Sequence, residues 1–118
     1  MKVDIKSKAE IDRMREACRM SAEIRDICAA AVAPGVTTGE LDDLVVEYCR
    51  KYSVKASFYK YANFPGHLCV SINDEVIHGI PRKDIIIRDG DIVVLNGKFV
   101  NSGAATVFSI SKTYISIY

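Results

Sequence analysis

Between Ile11 and Ala31 the apolar residues Ile11, Met14, Cys18, Ile24, Ile27, Cys28 and Ala31 recur at steps of three and four. That spacing lays one apolar stripe along a helix. Ser7 followed by Glu10 is a capping box, in which each side chain satisfies a free backbone N–H at the helix start. Pro34-Gly35 cannot continue a helix, so the element is expected to stop before it. Thr37 with Glu40 repeats the box and opens a shorter helix. Leu41, Leu44, Val45, Tyr48 and Cys49 form its inner face, and it fades near Tyr52. The charged residues of both helices are read as solvated faces.

After residue 54 the pattern changes to short runs rich in branched and aromatic residues, the signature of strands. They read "SFY", "LCVSI", "EVIHGI", "DIIIR", "DIVVL", "KFV" and "ATVFSI". "SINDEV" predicts a hairpin turning at Asn73-Asp74. "RDGD" predicts a tight turn in which Gly90 takes a positive φ. "LNGK" is a two-residue hairpin signal at 95–98. The tail "SISKTYISIY" alternates apolar and polar residues, is uncharged apart from Lys112, and predicts one more strand with a sticky edge. Helices first and strands after give an α+β fold: two helices packed on one face of a mainly antiparallel sheet.

Composition narrows this only a little. The 118 residues fit a single domain, 1–118, with 49% hydrophobic and 26% charged residues. A net charge of +1 gives no reason to expect nucleic acid or an acidic membrane surface as partner. The chain has no apolar run long enough to span a membrane, and "MKVDIKSKAE" is too polar for a signal peptide. The four cysteines, Cys18, Cys28, Cys49 and Cys69, form no C-x-x-C pair and are expected as buried free thiols in a reducing cytosol.

Four stretches carry more specific information: "IKSKAEIDRMREACRMSAEI", "VAPGVTTGELD", "FPGHLCVSINDEVIHGIP" and "DGDIV". Together they resemble type I methionine aminopeptidase, whose architecture is called the pita-bread fold. The resemblance is close over residues 3–93, gives way to a divergent tail over 94–118, and covers the N-terminal half of a family member. It therefore implies half of a pita-bread fold and a chain truncated relative to that family. A deletion or frameshift in or after the "GDIV" strand would produce such a sequence.

The resemblance also assigns roles. Family members use two divalent ions (Co, Mn, Fe or Zn), bridged by carboxylates, to activate the water that attacks the first peptide bond. His78, in "VIHGIP", takes the place of a histidine that binds substrate and steadies the transition state. Tyr61, Phe64 and Cys69 fall where residues line the pocket for the methionine side chain, a soft apolar surface suited to a thioether. His67 stands where a small residue is usual and is expected to crowd the pocket mouth. The first two metal-binding aspartates of the family do not appear. Depending on the anchor chosen, their places are taken by Asn96, Asn101 or Gly103, and no Asp or Glu follows Asp91. Neutral amides do not offset the dehydration of hard divalent ions, so no metal cofactor is expected for this chain.

Other chemistry fares worse. A single-metal site of His67, His78 and Asp74 matches no common ligand spacing. Asp74, Glu75, Asp89 and Asp91 belong to turns. Cys69 beside a histidine is the minimum for thiol chemistry, but a third, orienting group is absent. The expectation is a methionine aminopeptidase-like chain, acting by resemblance on the N-termini of peptides or nascent proteins, and inactive alone. The alternative is a non-catalytic peptide- or protein-binding module of the same fold. A half-fold exposes the surface its other half would cover, which also allows a homodimer.

Overall fold

The computed structural model describes residues 3–57, 59–101 and 104–113. Helix α1 spans Lys8–Ala31 and α2 spans Thr38–Tyr52. The strands are β1 (Lys55–Ala56), β2 (Cys69–Ile72), β3 (Ile92–Asn101) and β4 (Ala104–Thr113). Both capping boxes form: Ser7 Oγ accepts from the Glu10 N–H while Glu10 accepts from the Ser7 N–H, and Thr37 and Glu40 repeat the exchange. The α+β expectation holds, with two helices on an antiparallel sheet.

The sheet is organised by β3, to which β1, β2 and β4 are all paired antiparallel. Cys69 faces Asn96 and Ile72 faces Val93 across the β2–β3 ladder. Ile24, Cys28 and Val32 from the α1 side meet Leu41 and Val45 of α2 over Val70, Val93 and Leu95 of the sheet, all buried in one cluster. Each such aliphatic side chain taken from water contributes about 1.5–3 kcal/mol.

The predicted stripe of α1 is only half right. Ile24, Cys28 and their neighbours Ala17, Met20 and Ser21 are buried, whereas Ile11, Met14, Cys18 and Ile27 are exposed. Geometry explains the early part. The link between the helices is short, so α2 runs back along α1 for 15 residues, about 22 Å. The last turns of α2 meet α1 at Glu23, whose carboxylate accepts from the Tyr48 hydroxyl at 3.1 Å. Of the four thiols, Cys28 and Cys69 are buried, Cys49 is half-buried and Cys18 is exposed. The inner face of α2 is as expected, with Leu41, Val45 and Tyr48 buried and Leu44 and Cys49 packed against them.

Three strand expectations are corrected. "LNGK" is not a turn: Asn96 and Gly97 lie in mid-strand, each paired to β4, so that "DIVVL" and "KFV" form one strand. A ten-residue ladder overrides the local preference of Asn-Gly. The chain does turn at Asn73-Asp74, but "EVIHGI" beyond it is irregular and forms no ladder with β2, meeting it through single hydrogen bonds such as that from the Val70 N–H to the Gly79 carbonyl at 2.9 Å. "DIIIR" is likewise no strand, since its backbone groups go to the start of α2. The Thr38 N–H donates to the Ile85 carbonyl (3.0 Å) and the Ile87 N–H to the Val36 carbonyl (2.8 Å). In "SFY", Tyr59 lies in a turn and residue 58 is outside the described residues, while the strand nearby is β1. β4 takes up the tail as far as Thr113, and residues 114–118 lie outside the described residues. Gly90, at φ +88°, makes its turn as expected.

Candidate functional site

A groove of about 380 Å³ opens beside β2. Phe64, Pro65 and Ile80 give it apolar walls, Ala62 and Asn63 form one rim, and Cys69 and His78 complete the lining. Three of the sequence-predicted residues, Phe64, Cys69 and His78, thus meet at one place although they span fifteen positions of the chain. Tyr61 belongs by its backbone to the short 3₁₀ turn Tyr61–Asn63 at the same rim. Its side chain lies outside what is described, as do the side chain of Asn101 and the whole of Gly103.

Each lining residue is brought there by a local device. Cys69 opens β2 and is buried. Burial pushes its thiol up to about 11, with the negative charge of Asp42 adding to the effect. The sulfur is therefore protonated at neutral pH, an apolar surface rather than a nucleophile. His78 is exposed and holds a left-handed backbone at φ +59°. Beside it, Gly79 presses on β2: a Cβ there would stand 2.1 Å from the Val70 carbonyl oxygen, so only glycine fits. The Gly79 N–H donates to Ser71 Oγ at 3.1 Å, fixing the approach from the other direction. Ala62 and Asn63 are also left-handed, at φ +47° and +64°. Non-glycine residues in this region cost about 1–2 kcal/mol each, so the groove is lined by backbone that the rest of the fold must hold in place.

Asp42 does part of that holding, and sequence reasoning missed it. Read as part of a solvated face, its carboxyl group is instead only 15% exposed. Its Oδ1 accepts from the backbone N–H of His67 (2.7 Å) and of Leu68 (2.8 Å), and its Oδ2 lies 3.2 Å from His67 Nδ1. The carboxylate thus joins α2 to the two residues that lead into Cys69. His67 lies against Asp42 and stacks on Tyr59, with ring centroids 4.2 Å apart and planes 12° from parallel. It does not line the groove mouth, so the expected crowding does not occur: the carboxylate and the ring hold the imidazole elsewhere. The available signal was the doubled acid "LDD", whose first aspartate follows a fully buried leucine.

Two divalent ions would need several anionic oxygens close together. On β3, the strand beside Cys69, the residue in register is Asn96, a neutral amide. The chain has no Asp or Glu beyond Asp91, and Asp91 itself accepts from the Asn73 side chain (2.9 Å) and the Arg88 N–H (2.8 Å). Among the described residues no three His, Cys, Asp or Glu side chains come together as a metal-holding group, and His67, His78 and Asp74 do not form one. The donors present here do not fit a pair of hard cations.

Comparison with known proteins adds a framework. The profile described as metallopeptidase family M24 matches residues 12–107. A methionine aminopeptidase of Clostridium acetobutylicum is 40% identical over 114 residues, covering 92% of this chain and 45% of the relative. The crystal structure of methionine aminopeptidase from Rickettsia prowazekii superimposes with a TM-score of 0.90 at 30% identity, over 98% of this chain and 46% of that one. The Thermotoga maritima methionine aminopeptidase gives 0.88 at 30% identity, over 97% and 46%. The chain spans about half the length of these relatives. Its helices and sheet correspond to half of their pita-bread architecture.

Proposed function

We infer, from the premise that this chain belongs to metallopeptidase family M24, that it provides the substrate pocket of a methionine aminopeptidase-type site. The groove receives the first residue of a peptide or nascent protein. Phe64 and Cys69 contact its side chain, Tyr61 contributes from the 3₁₀ turn, and His78 donates or accepts a hydrogen bond at the backbone. The observation that carries this reading is the convergence of Phe64, Cys69 and His78 on one apolar groove beside β2.

The donor set restricts the chemistry of that pocket. With Asn96 in register with Cys69 and no acid beyond Asp91, this stretch of sequence does not by itself hold two bridged metal ions. By itself it binds and does not hydrolyse. A second reading keeps activity by pairing, with another chain or a second copy supplying the carboxylates. Its free thiols suit a reducing cytosol.

The test is to incubate the chain with a methionine-initiated tripeptide across a manganese and cobalt titration and to score free methionine. No release at any metal concentration is expected. Metal-dependent release that disappears in His78→Ala would overturn the binding-only reading and favour the paired one.

A further inference from the structure

Four of the groove's lining residues, Ala62, Asn63, Phe64 and Pro65, lie on one loop, residues 59–67. The loop opens at Tyr59, whose N–H donates to the Ala56 carbonyl of β1 at 3.3 Å, and ends at His67, next to the buried Leu68 and Cys69. Its backbone works against its shape. Lys60, Ala62 and Asn63 are left-handed without being glycine, at φ +62°, +47° and +64°, and a hydrogen bond from the Lys60 N–H to the Phe64 carbonyl (3.0 Å) spans the turn. The two ends of the loop meet face to face, with the Tyr59 and His67 rings 4.2 Å apart and 12° from parallel. Asp42 anchors His67 from α2, accepting from its backbone N–H at 2.7 Å and lying 3.2 Å from its Nδ1. A stack at the base of a loop takes freedom from everything between its two rings. The resemblance drawn from the sequence puts a small residue at position 67, and such a residue has no ring to offer Tyr59.

We propose that His67 is a positioning residue for the groove: stacked on Tyr59 and anchored by Asp42, it clamps the loop that carries Phe64 to the strand that carries Cys69. This rests on the reading of the groove as a peptide N-terminal pocket and adds what keeps that pocket assembled. His67 acts from outside the lining, on the fraction of molecules whose two walls stand ready for a ligand, and apparent affinity scales with that fraction. Loss of the stack weakens binding by no more than the stack itself is worth, about two- to tenfold.

The experiment is an NMR titration of the isotope-labelled chain with the peptide Met-Ala-Ser, chelator present, with the urea midpoint of each variant measured alongside. His67→Ala keeps the backbone N–H that Asp42 accepts, so the floor stays tied to α2 while the stack is lost. It is expected to bind the peptide about fivefold more weakly, and its amides at 60–64 to exchange faster with solvent. Tyr59→Ala removes the other ring from an exposed position and should give the same loss. The double variant should lose no more than either single one, because both remove one contact. His67→Phe keeps a ring for Tyr59 and should restore affinity to within about twofold of the natural sequence. Unchanged affinity in His67→Ala and Tyr59→Ala, additive losses in the double variant, or a loss that His67→Phe leaves unrepaired overturns the clamp and leaves the pocket reading intact. So does an affinity loss that only follows the urea midpoint across the variants. Absence of shifts at Cys69 and His78 in the natural sequence overturns the pocket reading itself.

Discussion

The layered core and the groove beside it are held by different means. In the core, α1 and α2 present regular stripes to β2 and β3, and Ile24, Leu41, Val93 and Leu95 are fully buried. Their side chains support one another, and no single contact is special. The groove, by contrast, is made of irregular chain. Three of its lining residues adopt left-handed backbone without being glycine. Nearby Val76 and Ile77 are 85% and 61% exposed despite being apolar. What fixes it is a small number of point attachments, notably Gly79 against β2 and Asp42 against residues 67 and 68. Regular packing gives stability, while the strained and apolar surface finds its reason in the binding role proposed for it.

That contrast can be broken most severely at Gly79. Alanine there forces a methyl group against the backbone oxygen of Val70, a core strand. Gly79→Ala should cost about 3 kcal/mol or more, read as a fall in the urea midpoint. A loss below about 1 kcal/mol would show that the groove segment moves freely of the core, and that the two regions are not joined there. Next in size is Asp42→Ala, which strands two backbone N–H groups and should cost about 2–3 kcal/mol. Its neighbour Asp43 is exposed and forms a surface ion pair with Lys83, so Asp43→Ala should stay within about 0.5 kcal/mol. Similar losses at the two positions would contradict the point-attachment picture. The smallest effect is the sharpest in sign. Ala30→Gly, on the exposed face of α1, should destabilise by about 1 kcal/mol. Ala62→Gly, where φ is +47°, should be neutral or stabilise by roughly 0.5 kcal/mol. Thermal unfolding of the pair measures both, and losses of the same sign would remove the strain from the groove.

The same division explains what was legible in the sequence. The helices could be read because capping boxes and three-to-four spacing are local, and each is satisfied within a few residues. Strand identity was less readable, since branched residues look alike whether or not a partner strand exists. "EVIHGI" and "DIIIR" have the composition of strands, but their backbone groups go to Ser71, β2 and the start of α2. Asn96-Gly97 has the composition of a turn, and the long β3–β4 pairing draws it straight. The site was legible through its resemblance to a family, which pointed to Phe64, Cys69 and His78 without any periodicity linking them. Ala62 and Ile80 were not seen because nothing local marks a residue that meets Cys69 only through the fold. Asp42 was hidden by its type: a carboxylate on a helix reads as solvated until its hydrogen-bond donors are traced.

The position of β3 has a consequence for the order of folding. β1 and β2 each pair with it, and Lys55 meets Val100 across more than a third of the chain. The early strands thus have no ladder to join until the chain beyond Ile92 has been made. During synthesis the two capped helices can form as soon as they emerge, but they wait without a sheet. Closing that long loop onto β3 is the slow, entropy-opposed event, and it brings β1, β2 and the helices together in one step.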